Sequence, residues 1–370
     1  MNQYDYLIVG AGLFGIVCAY ELNKRGYRCL VIDRRNHIGG NCYTEKVNGI
    51  NIHKYGAHIF KTSDKYIWDY MQRFAEFNNF INTPMAIYKD EIYNLPFNMN
   101  TFSRLWGVKT PSEAKRIIEN QSSEVESVIN LEDYAISQVG KDIYQKLIKG
   151  YTEKQWGKSC RDLPISIMRR IPIRYTYNNN YYMEKYQGVP VGGYTSLFEK
   201  MLSGIEVQLN TSYENVNNKV KYLKGCIYCG SIDEFYSYKY GPLEYRSLRF
   251  ETEYLDVDNY QGVAVVNYTD SYPAYTRIIE HKHFEGVNTS GTVISKEYPI
   301  PWEKGLEPFY PINDDNNTRK YDMYAKLSQK EDKVYFGGRL GMYRYPDMQD
   351  TVKLALELIE KMESENDEKH

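Results

Sequence analysis

Glycines at positions 10, 12 and 15, an aspartate at 33 and a second glycine pair at 39 and 40 have the types and spacing to hold a dinucleotide. The run YDYLIVG (4–10) is apolar and strand-like, the G-x-G-x-x-G turn follows it, a helical segment spans 16–24, and a second strand ends at Asp33. In that context Gly10 allows a sharp turn, Gly12 lets the backbone approach a pyrophosphate, and Gly15 lets helix and strand pack closely. The helix N-terminus offers free N–H groups and a positive dipole end to phosphate. Asp33 stands where a carboxylate accepts from ribose hydroxyls.

Gly39 and Gly40, just beyond the acid, suit a long ligand lying extended along the sheet. That pose favours FAD over NAD, and the stretch resembles the fingerprint of FAD-dependent monooxygenases and amine oxidases. The bulk composition narrows the class further. A formal net charge of −2 argues against a nucleic-acid partner. No apolar run reaches membrane-spanning length and no signal peptide precedes the first strand, so a cytoplasmic protein with no membrane insertion is expected. The six cysteines make neither a metal nor a disulfide pattern, and no metal site is expected. Cys226 and Cys229 have redox-like spacing but fall in a strand-like run (220–229) that would put them on opposite faces. Tyrosine is abundant, 38 of 370 residues, and rings with polar tips can line a cleft for sugars and phosphates.

The elements that must position these groups can be read coarsely. Short strands are expected at 50–53 and 57–60, helical signals from 84 to 169 (110–118, 131–139, 142–149), and strand-like pattern from 175. A helix is expected at 195–202, strands at 245–250, 262–268 and 292–298, a closing strand at 334–339, and an amphipathic helix at 348–362 before a frayed tail at 363–370. The closing strand resembles the segment that returns to a flavin domain.

Six blocks together resemble the UDP-galactopyranose mutase family over nearly the whole chain. They are HKYGAHIF (53–60), GYTEKQWG (150–157), RIPIR (170–174) with Asn180 and Tyr181, TRIIEHKHF (276–284), EPFYPIN (307–313), and GGR (337–339) with Tyr345 and Asp347. The resemblance implies an α/β fold: a discontinuous Rossmann-like FAD-binding domain (1–76, 192–235 and 318–370), an inserted helical domain (77–168), and an antiparallel β-sheet substrate domain (169–191 and 236–317). It implies FAD, active when reduced, bound by Gly10, Gly12, Leu13, Phe14, Gly15, Asp33, Arg34, Gly39, Gly40, Asn41, His58, Gly338, Arg339 and Met348. Arg170 and Arg277 would fork onto the diphosphate of a nucleotide sugar and, with His58 beside the flavin, form the catalytic set. Tyr181, Tyr310 and Tyr345 would donate phenolic hydrogen bonds to the diphosphate or sugar, Tyr151 would stack on the base, and Trp156 would pack near it. Asn82, Asp347 and Lys61 complete the expected substrate contacts. Arg170 would ride on a mobile loop.

The reaction so implied interconverts pyranose and furanose forms with no net redox. Reduced FAD attacks the anomeric carbon through N5, and the sugar recloses through its 4-hydroxyl. A homodimer and an external flavin reductant are expected with it. One position departs from the bacterial pattern: H-I-F is followed by Lys61 rather than histidine. The sugar could therefore be galactose, N-acetylgalactosamine or a thymidine-linked deoxy sugar, with Lys61 either selecting among them or lying on the surface. Two rivals differ in class. A redox flavoprotein of amine-oxidase type would bleach its flavin with substrate, and a non-catalytic sugar-nucleotide binder would turn over nothing when reduced.

Overall fold

In the computed structural model, residues 3–123, 125, 127–168, 173–216 and 219–367 are described. A five-stranded, all-parallel sheet runs in the order Val334–Phe336, Lys221–Tyr228, Gln3–Val9, Cys29–Ile32, Glu206–Gln208. Its strands come from both ends and the middle of the chain, so the unit is discontinuous. The helix Leu13–Lys24 is apolar around much of its circumference because it is packed on two sides. One side meets the sheet. The other meets the helix Met348–Asp367, which contributes Val352, Ala355, Ile359 and Met362 at helical spacing. Cys226 packs on the opposite face of the sheet, with Leu7 and Ile32, whereas Cys229 belongs to the helix side. All six cysteines are free.

A second sheet of seven strands is antiparallel except at one junction, where Val265–Tyr268 pairs in parallel with Met85–Tyr88. Its long centre is the ladder Tyr245–Leu255 against Thr292–Pro301, flanked by Arg277–Glu280. The hairpin Met85–Tyr88 and Glu91–Asn94 lies within the stretch expected to be helical. Its alternation is only four residues per strand, and its turn depends on Lys89 at positive φ, so helical signals around it mask it. The helices expected at 110–118 and 131–139 form, each with a side-chain cap. Thr110 and Glu113 form a capping box with Pro111 in the first turn, and Asn130 caps Leu131–Val139.

Other expectations shift. The helix expected to end at 149 instead passes through a widened π turn, Tyr144–Lys149, and continues as Gly150–Trp156. The strand expected at 57–60 begins only at Phe60 and pairs Phe60–Thr62 with Tyr186–Gly188. Apart from a single bridge between Ile173 and Phe97, residues 173–185 are irregular and are held by side chains: the Arg174 guanidinium donates to the carbonyls of Asn180 and Tyr181, and Asn98 donates to Asn179. The closing strand stops at Phe336 and a short helix, Gly338–Gly341, replaces its end. The final helix extends to Asp367 through most of the expected frayed tail. Among the described residues, no helix is long and apolar enough to cross a membrane.

Candidate active site

A cavity of about 570 Å³ opens at the C-terminal ends of the parallel strands and extends to the seven-stranded sheet. Such a position is where open α/β sheets place ligands. Gly10, Gly12, Leu13, Phe14 and Gly15 line it beside Asp33, Arg34, Gly39, Gly40 and Asn41. The backbone here is held very close. A Cβ on Gly15 would sit 2.1 Å from the Gly10 carbonyl oxygen, and one on Gly40 would sit 2.9 Å from Gly12 Cα. Gly12 caps the helix Leu13–Lys24 without a side chain, so no side-chain acceptor takes the first-turn N–H groups. This cradle fits a pyrophosphate, and its length along Gly39 and Gly40 fits a dinucleotide.

Asp33 organises the cradle as well as bordering it. Its Oδ2 accepts from Ala11 N–H at 2.7 Å and its Oδ1 from Arg35 N–H at 2.9 Å. Arg35 Nη2 donates to Asn41 Oδ1 at 2.9 Å and to Glu307 Oε2 at 2.5 Å, while Arg34 reaches the same carboxylate at 3.2 Å. Burial pushes the Glu307 carboxyl up, but the two guanidiniums outweigh it and hold it below its ordinary range. Arg35 Nη1 is buried without a protein partner. Gly338, Arg339 and Met348 close the far wall.

His58 is on the cavity wall. Its N–H donates to His53 Nδ1 at 3.1 Å, and its Nδ1 lies 2.8 Å from the Gly56 carbonyl. Burial, aided by the charge of Arg339, lowers its pKa to about 4. The ring is therefore neutral near pH 7, with Nδ1–H donating to Gly56 and Nε2 left as an acceptor. His53 in turn donates its N–H to His281 Nδ1 at 3.2 Å.

The opposite wall is built from paired side chains. Arg277 opens the strand Arg277–Glu280 and stands directly across from Glu297 on the neighbouring strand. Its Nη2 donates to the Tyr151 hydroxyl at 2.5 Å, and its Nε is 3.4 Å from Glu297 Oε1. Burial pushes the Glu297 carboxyl up, partly offset by Arg277. Tyr310 and Tyr345 pack with ring centroids 5.0 Å apart, and Arg339 lies 5.0 Å over the Tyr345 ring. Lys61 Nζ donates to Glu184 Oε1 at 2.6 Å and to Asp347 Oδ2 at 2.8 Å, and it sits 4.9 Å over the Tyr182 ring. The irregular backbone at 57–59 is the bend that lets His58 and Lys61 border one cavity.

The remaining expected contacts lie behind or beyond this wall. Tyr151 reaches the cavity through Arg277. Asn82 accepts from Tyr181 N–H at 2.8 Å through its carbonyl, and its Oδ1 is buried without a partner. Trp156 ends its helix away from the cavity wall, and Arg170 lies outside the described residues. Glu297 and Tyr182 border the cavity without having been singled out in the sequence, as does Glu307, which was quoted in a block but given no role; Glu184 meets the cavity through Lys61. Glu297 left one usable signal: an acid within a β-branched, apolar-rich strand, 292–301. Among the described residues, no group of three His, Cys, Asp or Glu side chains could hold a metal ion.

A Rossmann-like glycine cradle that shares one cavity with a wall of ion pairs and tyrosines on an antiparallel sheet is the layout of a dinucleotide-cofactor enzyme. Comparison with known proteins narrows that class. A family model described as UDP-galactopyranose mutase matches residues 146–345, and one described as an NAD(P)-binding Rossmann-like domain matches residues 8–74. A probable UDP-galactopyranose mutase of Klebsiella pneumoniae is 36% identical over 366 residues, covering 98% of this chain and 95% of that protein. A dTDP-fucopyranose mutase of Escherichia coli is 35% identical over 363 residues, covering 95% and 96%. The crystal structure of a reduced UDP-galactopyranose mutase shares the fold, with a TM-score of 0.75 at 15% identity over 97% of this chain and 93% of that one. The chain belongs to the UDP-galactopyranose mutase family. It is a flavin-dependent mutase, an isomerase.

Proposed function

We propose that the chain binds FAD in the glycine cradle and, with the flavin reduced, interconverts UDP-galactopyranose, or a close analogue such as UDP-N-acetylgalactopyranose, with its furanose form. The observation that carries this reading is Arg277, a part-buried guanidinium held between Tyr151 and Glu297 on the same cavity as the cradle. When bound and reduced, FAD supplies a nucleophilic N5 for the anomeric carbon, without net redox. Arg277, with Arg170 by its motif position, holds the diphosphate through substitution at the sugar and takes up its charge as it departs. Tyr310 and Tyr345 orient the diphosphate and sugar. Asn82, Tyr181, Trp156, Lys61 and Asp347 complete the nucleotide and sugar contacts, and Tyr151 both braces Arg277 and meets the base. His58 presents a neutral acceptor to the cofactor. Phe14, Leu13, Gly12, Asp33, Asn41, Arg339 and Met348 hold the dinucleotide.

The three-part domain division set out above accompanies this reading, with residues 85–94 counted to the seven-stranded sheet. So do a homodimer, a cytoplasmic location and an external reductant. Because relatives of 36% and 35% identity carry the names of two different nucleotide-sugar mutases, the sugar and base are left to experiment. The test is to incubate dithionite-reduced protein with UDP-galactose, UDP-N-acetylgalactosamine and dTDP-fucose in their pyranose forms. Furanose product from at least one, only with reduced protein, is expected. Equal turnover by oxidised protein, or net oxidation of the sugar, would place the chain with the redox flavoproteins. Binding without turnover under dithionite would leave it a nucleotide-sugar binder.

A further inference from the structure

The helix Gly150–Trp156 touches the neighbourhood of Arg277 twice. Tyr151 takes the Arg277 guanidinium, as described. One turn later, Lys154 extends its ammonium into the loop 269–276 that joins Val265–Tyr268 to Arg277–Glu280. Its Nζ donates to the carbonyls of Tyr268 at 2.8 Å, Pro273 at 2.9 Å and Tyr275 at 2.9 Å. An ammonium has three protons, and all three are used on backbone oxygens, two in the loop and one on the strand residue that opens it. Without a cation, those carbonyl dipoles would converge on one another with no donor.

A second link ties the same helix to the same loop. Thr269 Oγ donates to the Lys146 carbonyl at 2.8 Å, an oxygen of the π turn that precedes the helix. Gly150 makes this approach possible, since a Cβ there would be 2.5 Å from the Thr269 carbonyl oxygen. The loop ends at Thr276, which is fully buried and donates its N–H to the Glu297 carbonyl at 2.9 Å. Arg277 follows immediately.

We infer that Lys154 is a positioning residue for Arg277: its ammonium sets the loop that delivers the guanidinium to the diphosphate, while Tyr151 on the same helix sets the guanidinium itself. This rests on the proposed contact between Arg277 and the diphosphate. It assigns a cationic residue of the site region a role with no substrate contact of its own.

The experiment is a double-mutant cycle read by titration of the flavin-loaded protein with UDP. Lys154→Met removes the ammonium and keeps the aliphatic stem; it should raise the UDP Kd at least tenfold with flavin content unchanged. Lys154→Arg, which restores donors, should come within about threefold of the parent. In an Arg277→Ala background, Lys154→Met should weaken UDP less than twofold further, because both act through one group. If the two effects multiply, or Lys154→Met leaves the Kd within twofold, the inference is overturned while the reading of Arg277 stands. If Arg277→Ala itself leaves the Kd unchanged, both fall. Should Lys154→Met not fold, Thr269→Val cuts the second link and takes its place in the cycle. It should then raise the Kd about threefold, and multiplication with Arg277→Ala again overturns the inference.

Discussion

The two walls of the cavity are made in different ways. The cofactor wall is largely backbone: glycines, helix N–H groups and one aspartate, most of it from residues 9–41. The substrate wall is side chains, and they come from many places. Arg277, Glu297, Lys61, Glu184 and Asp347 arrive on separate segments and meet as ion pairs, and Tyr310 packs on Tyr345 beside them. A backbone wall is specified by the atoms it lacks, and a side-chain wall by the partners it supplies. The first should therefore fail when an atom is added, and the second when a charge is removed.

The largest effect expected is at Gly15. A methyl there would lie 2.1 Å from the Gly10 carbonyl oxygen, which is main chain and cannot rotate away. Gly15→Ala must push the helix Leu13–Lys24 off the sheet, at a cost of about 3 kcal/mol or more, the upper range for overpacking. Denaturant unfolding should show that loss, and the purified variant should carry no flavin absorbance. A variant that keeps its flavin and its stability would mean the cradle is softer than its geometry implies.

Arg277 tests the other wall. Arg277→Ala should weaken UDP binding by roughly 1.5–3 kcal/mol, the worth of hydrogen bonds to charged groups. It should also destabilise the fold, because Glu297 is 1% exposed and loses its ion-pair partner. Breaking a fully buried pair costs about 3–5 kcal/mol; here, with the Arg277 side chain 25% exposed, the loss is smaller, and removing the second charge returns much of it. Arg277→Ala with Glu297→Gln should thus recover stability in denaturant unfolding without recovering UDP affinity. If stability and affinity return together, Glu297 is no mere counterion.

The same contrast governs what could be read in advance. The cradle is local: a strand, a turn, a helix and an acid within about one βαβ unit, each with its own signal. The substrate wall is long-range, and no spacing in the sequence says that residue 277 faces 297 or that 61 meets 184 and 347. Arg277, Lys61 and Asp347 were reached by resemblance to a family, Glu307 was quoted in a block without a role, and Glu297, Glu184 and Tyr182 were passed over. Secondary structure failed where side-chain hydrogen bonds replace a ladder, as in 173–185, and where strands are four residues long, as in 85–94. The π turn at Tyr144–Lys149 also left no mark, because its sequence is a good helix in either register.

A run of histidines, His58 on the cavity wall and His53 and His281 buried behind it, makes the fold sensitive to pH. Burial lowers His53 well below its ordinary value, His58 to about 4 and His281 to about 3. Unfolded, each titrates near 6.5. Below that pH the unfolded chain binds more protons, so stability is full above about 6.5 and falls as the pH drops toward the folded values. By pH 5 the His58 and His281 imidazoles should each have cost about 2 kcal/mol. His281→Asn keeps an acceptor for His53 N–H and removes one titrating group. Its stability should fall less steeply between pH 7 and 5 by about that amount, measured by urea unfolding. Equal slopes would show that His281 takes up its proton without unfolding.

Lys61 carries the smallest expected effect, and it marks where the substrate wall stops being fixed by pairs. Burial works against its charge, but the hydrogen bonds its ammonium donates to Asp347 and Glu184 outweigh burial and raise its pKa. Two of its three protons are committed to those carboxylates, and the ammonium sits over the Tyr182 ring. It is not a surface cation, yet little of it is left for a sugar substituent unless a carboxylate turns away. Asp347 is the one able to do so, since its side chain is 50% exposed against 25% for Glu184. Half-exposed pairs are worth about 0.2–1 kcal/mol, so losing one should cost at most roughly fivefold. Lys61→His leaves a flat ring with fewer donors and should release Asp347 first. The ratio of kcat/KM for UDP-galactose to that for its 2-acetamido analogue should then shift by about twofold to fivefold, with an unchanged flavin spectrum. A shift of a hundredfold would mean that Lys61 touches the sugar directly. No shift at all would make its two carboxylates a brace for residues 181–185 and nothing more.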